Sequence, residues 1–147
     1  MKLRIAWIGK TKEPAIQALT DDYLKRLSRY AQTEGIPLKD EAALLALANP
    51  KAQSKHALVL LDSRGKQLSS EELAKFIEDH QDRNPLPLLF AIGGADGFSD
   101  QARRAASLTL SLGKMTLAHE LARVVLLEQL YRAFTILKGH PYHLGHR

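Results

Sequence analysis

Three clusters in this chain have the residue types and spacing that chemistry needs, and all lie after residue 90. Ala91-Ile-Gly-Gly-Ala-Asp-Gly-Phe-Ser99 places a glycine pair just after an apolar run, so main-chain N–H groups without shielding Cβ atoms lie at a strand end. Leu112-Gly-Lys-Met-Thr-Leu117 breaks a second apolar run with Gly113. Two adjacent irregular loops at one sheet edge make a pocket, which is stronger evidence for a ligand than either loop alone. The third cluster, His140-Pro-Tyr-His143, offers rings that stack on bases or exchange protons near neutral pH.

Each cluster also has a plainer explanation. The glycine pair matches neither the dinucleotide fingerprint nor a phosphate loop, because the closing Lys-Ser/Thr is absent, and a simple tight turn would account for it. Core packing would account for Leu112, Met115 and Leu117 taken singly, and a polar tail for the last cluster. His119-Glu120 lacks the second histidine of a zinc protease, so His119 is expected as a helix cap or surface residue. Arg123, one turn on, is expected to face the pocket or a subunit interface.

The elements that must position these residues alternate. Leu3–Gly9 suggests a strand, followed by helical spacing through Ile16, Leu19, Tyr23, Leu27 and Tyr30. A short extended piece near Ile36–Leu38 precedes an Ala/Leu-rich helix over Glu41–Ala48, ended by Asn49-Pro50, and Lys51–Lys55 is expected to loop. Ala57–Leu61 is a strand buried on both faces, with a turn at Asp62–Gly65. Ser69 and Glu72 form a capping box for the next helix. Leu86–Ile92 and Leu108–Leu112 are further buried strands, Ser99 or Asp100 caps the helix between them, and His119–Lys138 is a long helix closed by Gly139. This pattern predicts an α/β fold with a mainly parallel sheet flanked by helices, in a single domain over 1–147. Apolar residues spread around most of the last helix, so it needs two partners: its own sheet and, most simply, a second copy of the chain.

The 147 residues are 45% hydrophobic and 25% charged, which argues for an ordered domain. The net charge of +5 leans towards a polyanionic partner, although solvated basic faces are common. Without cysteine there are no disulfides, thiolate metal sites or Cys nucleophile. No apolar run is long enough to span a bilayer and the N-terminus does not read as a signal peptide, so a cytoplasmic protein is expected.

In order and spacing, these motifs resemble the RlmH family of the SPOUT methyltransferase superfamily, most strongly over Leu61–His143. The resemblance implies a C-terminal trefoil knot holding S-adenosyl-L-methionine, with cofactor positions at Leu61, Gly93, Leu112, Gly113, Lys114, Met115, Thr116 and Leu117. It implies methylation of N3 of a pseudouridine in 23S ribosomal RNA on the assembled ribosome, by a homodimer joined through the last helix, without a metal. His143 is then the candidate base and Tyr142 an orienting or stacking group; Leu144-Gly-His-Arg147 extends beyond the family's tail. RNA contacts would fall to Lys10, Lys12, Arg29, Arg123 and Arg132, along with Lys25, Arg26, Lys51 and Lys55. The competing readings are ribose methylation of transfer RNA, a non-catalytic ribosome-binding factor, and phosphate binding at Gly93 and Gly94.

Overall fold

A computed structural model of the chain describes residues 1–51, 55–94 and 96–144, with residue 143 described for its backbone only. The elements run β1 (Lys2–Ile8), α1 (Pro14–Leu27), β2 (Gln32–Leu38), α2 (Glu41–Ala48), β3 (Ala57–Gln67), α3 (Ser70–Arg83), β4 (Leu88–Ile92), α4 (Asp100–Ala105), β5 (Leu108–Ser111) and α5 (His119–Leu137). A 3-10 turn over Pro141–His143 follows. The five strands pair in the order β2-β1-β4-β3-β5, and every pairing is parallel. All carboxyl ends therefore lie along one edge of the sheet, where ligands bind in folds of this class.

The buried strands explain their own composition. All of β4 is buried, and β3 sends Leu58 and Leu60 to one face and Val59 to the other. Helices α1, α3 and α5 cover the face of Leu3, Ile5, Val59, Leu88 and Phe90, to which α5 adds Leu126, Leu127, Leu130 and Phe134. The opposite face holds Ala6, Leu58, Leu60, Leu89 and Ala91 beneath Leu44 of α2 and Ala102 of α4. Each fully buried leucine here contributes about 1.5–3 kcal/mol of transfer free energy.

Helix ends follow the side chains that cap them. Ser69 Oγ accepts the Glu72 N–H at 3.0 Å while Glu72 Oε1 accepts the Ser69 N–H at 2.8 Å, as the capping-box spacing predicts. Of the two candidates before α4, Ser99 is the cap, accepting the Ala102 N–H. At the free edge, the Gln32 N–H and Leu38 C=O bond to the β1 side, so the two-residue period turns Pro37 outward, where its missing N–H costs nothing.

Three sequence expectations change. Helix α1 ends at Leu27, so Tyr30 lies in the following turn, stacked on Phe134 at 5.8 Å, and Leu19 is 42% exposed. Strand β2 starts at Gln32, well before Ile36. The Asp62–Gly65 stretch, expected as a turn, is part of the continuous strand β3: Leu61 and Lys66 both register with Leu110, so the pairing with β5 is irregular between them. A Cβ on Gly65 would sit 2.6 Å from the Thr109 carbonyl oxygen, so glycine is needed there for a close backbone crossing over β5. Of the expected Lys51–Lys55 loop, residues 52–54 lie outside the described residues.

Candidate functional site

The carboxyl ends of β3, β4 and β5 frame a cavity of about 340 Å³, within the range of small-ligand pockets. Three stretches contribute most of its wall: Leu61–Arg64, Ile92–Gly94 and Ser111–Gly113. Met115, Thr116 and Leu117 continue the wall, and His119 and Ala122 close it from the first turn of α5. Leu61, Gly93, Leu112, Gly113, Met115, Thr116 and Leu117, all singled out in the sequence, thus meet at one place. Lys114 is exposed and is not part of the lining.

Local geometry explains why these residue types stand here. A Cβ on Gly93 would press the Phe98 ring at 3.2 Å, while one on Gly94 would meet nothing within 4 Å among the described residues. Gly113 has φ +139°, a backbone state that L side chains rarely adopt. Ser111 holds that bend: its Oγ donates to the Gly113 carbonyl at 2.9 Å and accepts the Gly113 N–H at 3.2 Å. Met115 is 85% exposed, which removes core packing as the reason for an apolar residue in this loop.

Residues overlooked in the sequence supply the polar wall. The Asp62 side chain is largely covered, accepting the Arg64 N–H at 2.9 Å and lying 3.3 Å from an Arg103 guanidinium nitrogen. Burial works to raise its pKa, but the Arg64 main chain and side chain, with Arg103, outweigh burial and hold the carboxyl below its ordinary value. Arg103 also donates to the Phe98 carbonyl at 2.8 Å and pairs with Asp100, so the ends of β3 and β4 share one brace. Asp96 adds an exposed carboxylate to the lining. For Asp62 and Arg64 the turn signal at Asp62–Gly65 was the one hint in the sequence, while Asp96 lies in the Ala91–Ser99 run already singled out. His119, expected as a cap or surface residue, is half-buried on the cavity wall, and the N-cap of α5 is Ala118.

Among the described residues, Tyr142 of the tail does not line this cavity. Tyr142 donates to Glu128 Oε2 at 3.0 Å, packs edge-on against Tyr131 at 4.8 Å and lies beneath the Arg132 guanidinium. Its contacts on α5 come 6 to 13 residues after the wall residues Ala122 and His119, or about 9–20 Å along the helix axis. Burial, then hydrogen bonds with Tyr23 and Glu128, push the Tyr142 pKa well above that of a free phenol, so the hydroxyl stays protonated near neutral pH. The backbone of His143 belongs to the 3-10 turn, and its side chain lies outside the described residues.

The basic candidates divide. Lys10, Lys12 and Arg29 are exposed, as are Lys25, Lys51 and Lys55. Arg123, expected on an RNA-facing surface, is only 1% exposed. Its guanidinium lies over the Trp7 ring at 4.1 Å and donates to Thr11 Oγ1 at 2.9 Å, because the face it occupies on α5 points into the α1–β1 layer. Arg132 is largely covered and pairs with Glu128 at 3.0 Å, and Arg26 pairs with Asp22 at 3.2 Å.

Comparisons with known proteins bear on the family and the fold. A protein of Koribacter versatilis named "Ribosomal RNA large subunit methyltransferase H" is 60% identical over 146 residues, covering 99% of this chain and all of the relative. A protein of the same name from Geotalea daltonii is 44% identical over 152 residues, covering 97% and 99% of the two chains. Among solved structures, a probable methyltransferase from Bordetella pertussis Tohama I superposes with a TM-score of 0.58 at 12% identity, covering 90% of this chain and 94% of that one. The crystal structure of the tRNA (m1G37) methyltransferase from Aquifex aeolicus gives 0.54 at 14% identity, over 90% and 70%. These two likenesses concern the fold. The family model described as "Predicted SPOUT methyltransferase" matches residues 1–143, and with full-length relatives at such identities the chain belongs to the SPOUT methyltransferase family.

Proposed function

We propose that this chain is an S-adenosyl-L-methionine-dependent enzyme that methylates N3 of a pseudouridine in 23S ribosomal RNA. In this reading it works in the cytoplasm on the assembled ribosome, as a one-domain subunit of a homodimer. The observation that carries the proposal is the convergence of seven of the eight cofactor positions, all but Lys114, on one cavity at the carboxyl edge of the sheet. Relatives named for large-subunit ribosomal RNA methylation, matched over nearly their full length, support the substrate. The trefoil knot belongs to the same proposal. It is supported by membership of the SPOUT methyltransferase family.

The lining suits the cofactor. Leu61, Ile92, Leu112 and Leu117 offer apolar surface to an adenine ring, the glycines let a ligand approach the main chain, and Asp96 offers a carboxylate to positive charge. Bound there, the cofactor supplies a methyl group activated by positively charged sulfur. The chain's own part is to orient the two reactants, exclude water and receive the N3 proton. His143 is assigned that proton and Tyr142 the orientation of the base. Because Tyr142 is tied to Glu128 away from its own cavity, the tail is assigned to the partner subunit's site. Met115 at 85% and Leu121 at 46% exposure, flanking the start of α5, support burial against a second copy.

The test is transfer of labelled methyl groups to assembled ribosomes, free 23S RNA and ribosomes lacking pseudouridine, offered in parallel. Label confined to pseudouridine-containing ribosomes is expected. Label on the ribosomes that lack it would overturn the target.

A further inference from the structure

The loop between β1 and α1 is held by residues more than 100 positions away in sequence. The N–H groups of Lys12 and Glu13 donate to Glu120 Oε1 at 3.0 and 3.3 Å. One turn further along α5, Arg123 donates to Thr11 Oγ1 at 2.9 Å and to Thr20 Oγ1 of α1 at 3.4 Å, with its guanidinium over Trp7 of β1. Thus each of residues 11–13 is fastened to the first turns of α5. Helix α1 has no acid in its first turn, and its N-cap Glu13 makes no side-chain capping bond among the described residues, so the Glu120 carboxylate meets the N–H groups at this helix end from another element. Burial lowers the Arg123 pKa and the charge of Glu120 works against that, so the two residues also support each other.

What the loop carries gives the arrangement its meaning. Lys10 and Lys12 are exposed, and neither forms an ion pair among the described residues. Lys39, at the end of β2, shares a groove with Lys10 and Thr11 on the same sheet edge as the cavity. The helix turn that grips the loop also supplies His119 to the cavity wall, one residue before Glu120. We propose that Glu120 and Arg123 are positioning residues that lock the basic loop to the cavity's own helix, so that Lys10 and Lys12 meet phosphates of the RNA strand entering the site. This rests on the RNA methyltransferase reading above.

The test uses the full chain as wild type, Glu120→Ala, Glu120→Gln and the double variant Lys10→Ala/Lys12→Ala. Binding of purified large ribosomal subunits is measured across a salt series, together with amide exchange at residues 12 and 13. A carboxylate on an RNA-facing surface repels phosphate, so its loss would tighten binding if charge alone mattered. The positioning role requires the opposite. Glu120→Ala should speed exchange at Lys12 and Glu13 by about fivefold or more and weaken subunit binding by a similar factor. Glu120→Gln, which keeps the acceptor oxygen, should restore both. The double lysine variant should bind more weakly, with a salt slope shallower by about 1.4, the value for two phosphate contacts on single-stranded RNA.

In methyl transfer, Glu120→Ala should raise KM for the subunit more than it lowers kcat. Retained S-adenosyl-L-methionine affinity in Glu120→Ala shows that the fold is intact, since Glu120 does not line the cavity. Binding as tight as or tighter than wild type in Glu120→Ala overturns the proposal, as does unchanged exchange at residues 12 and 13. If the wild type methylates no RNA, the enzymatic reading fails, while exchange and subunit binding still judge the loop.

Discussion

The cavity at the ends of β3–β5 and the loop after β1 lie on the same sheet edge, yet they are built to opposite rules. Around the cavity, positions that would carry side chains are left open: among the described residues a Cβ on Gly94 or Gly113 has no neighbour within 4 Å, and Met115 is 85% exposed. At the loop, polar groups are tied to α5, with Thr11 bound by Arg123 and the Lys12 and Glu13 amides by Glu120. Surface left uncovered can gain free energy when a ligand arrives. A loop already fastened contributes by losing little entropy when its lysines meet a partner. Helix α5 serves both regions, since His119 and Ala122 line the cavity while Glu120 and Arg123 hold the loop.

The comparison breaks most completely where the two regions share support. Leu130→Ala, at a fully buried position of α5, should cost about 2–5 kcal/mol of stability, measured by denaturant unfolding, and should weaken cofactor and RNA binding together. Gly94→Leu strikes the cavity alone. With room for a Cβ and no positive φ, it should leave the melting temperature within a few degrees while cofactor affinity falls at least about 100-fold, or about 2.7 kcal/mol, by calorimetry.

Arg123→Lys strikes the brace alone. A lysine cannot keep the planar contact with Trp7 while donating to Thr11, so a loss of about 1–2 kcal/mol is expected, with cofactor affinity preserved. Equal loss of cofactor affinity would merge the two regions into one unit.

The smallest expected effect concerns Asp62 on the cavity wall. Its pKa is depressed in the folded protein below the ordinary 3.8, so it stabilises the fold above that value, and the benefit fades as pH falls through the folded pKa. Asp62→Asn should therefore flatten this acid-side loss. Its stability deficit against wild type should be largest near neutral pH and narrower in acid, as followed by unfolding from pH 6 down to 2.

Local patterns were legible wherever a property depended on a few neighbouring residues. The capping box of Ser69 and Glu72 could be read from its spacing, as could the buried run ending at Ile92 and the glycine loops after it, because each is set by backbone sterics or short-range bonding. Gly65 was read as part of a turn but stands within β3, and its need for close approach to Thr109 depends on a strand more than 40 residues away. Arg123 was misplaced because a charged residue on an exposed surface is the ordinary expectation; only the meeting of α5, Trp7 and Thr11 gives its guanidinium a place inside.

By itself, then, the sequence determined the alternation of strands and helices, their caps and the loops able to admit a ligand, since periodicity, capping and glycine freedom act within a few residues. The tertiary structure alone decided that Asp62 and His119 join the glycine loops in one cavity, that Arg123 is buried, and that Tyr142 lies away from that cavity. Those outcomes depend on contacts between segments distant in the chain, and burial and pairing have no local signature until the sheet brings the segments together.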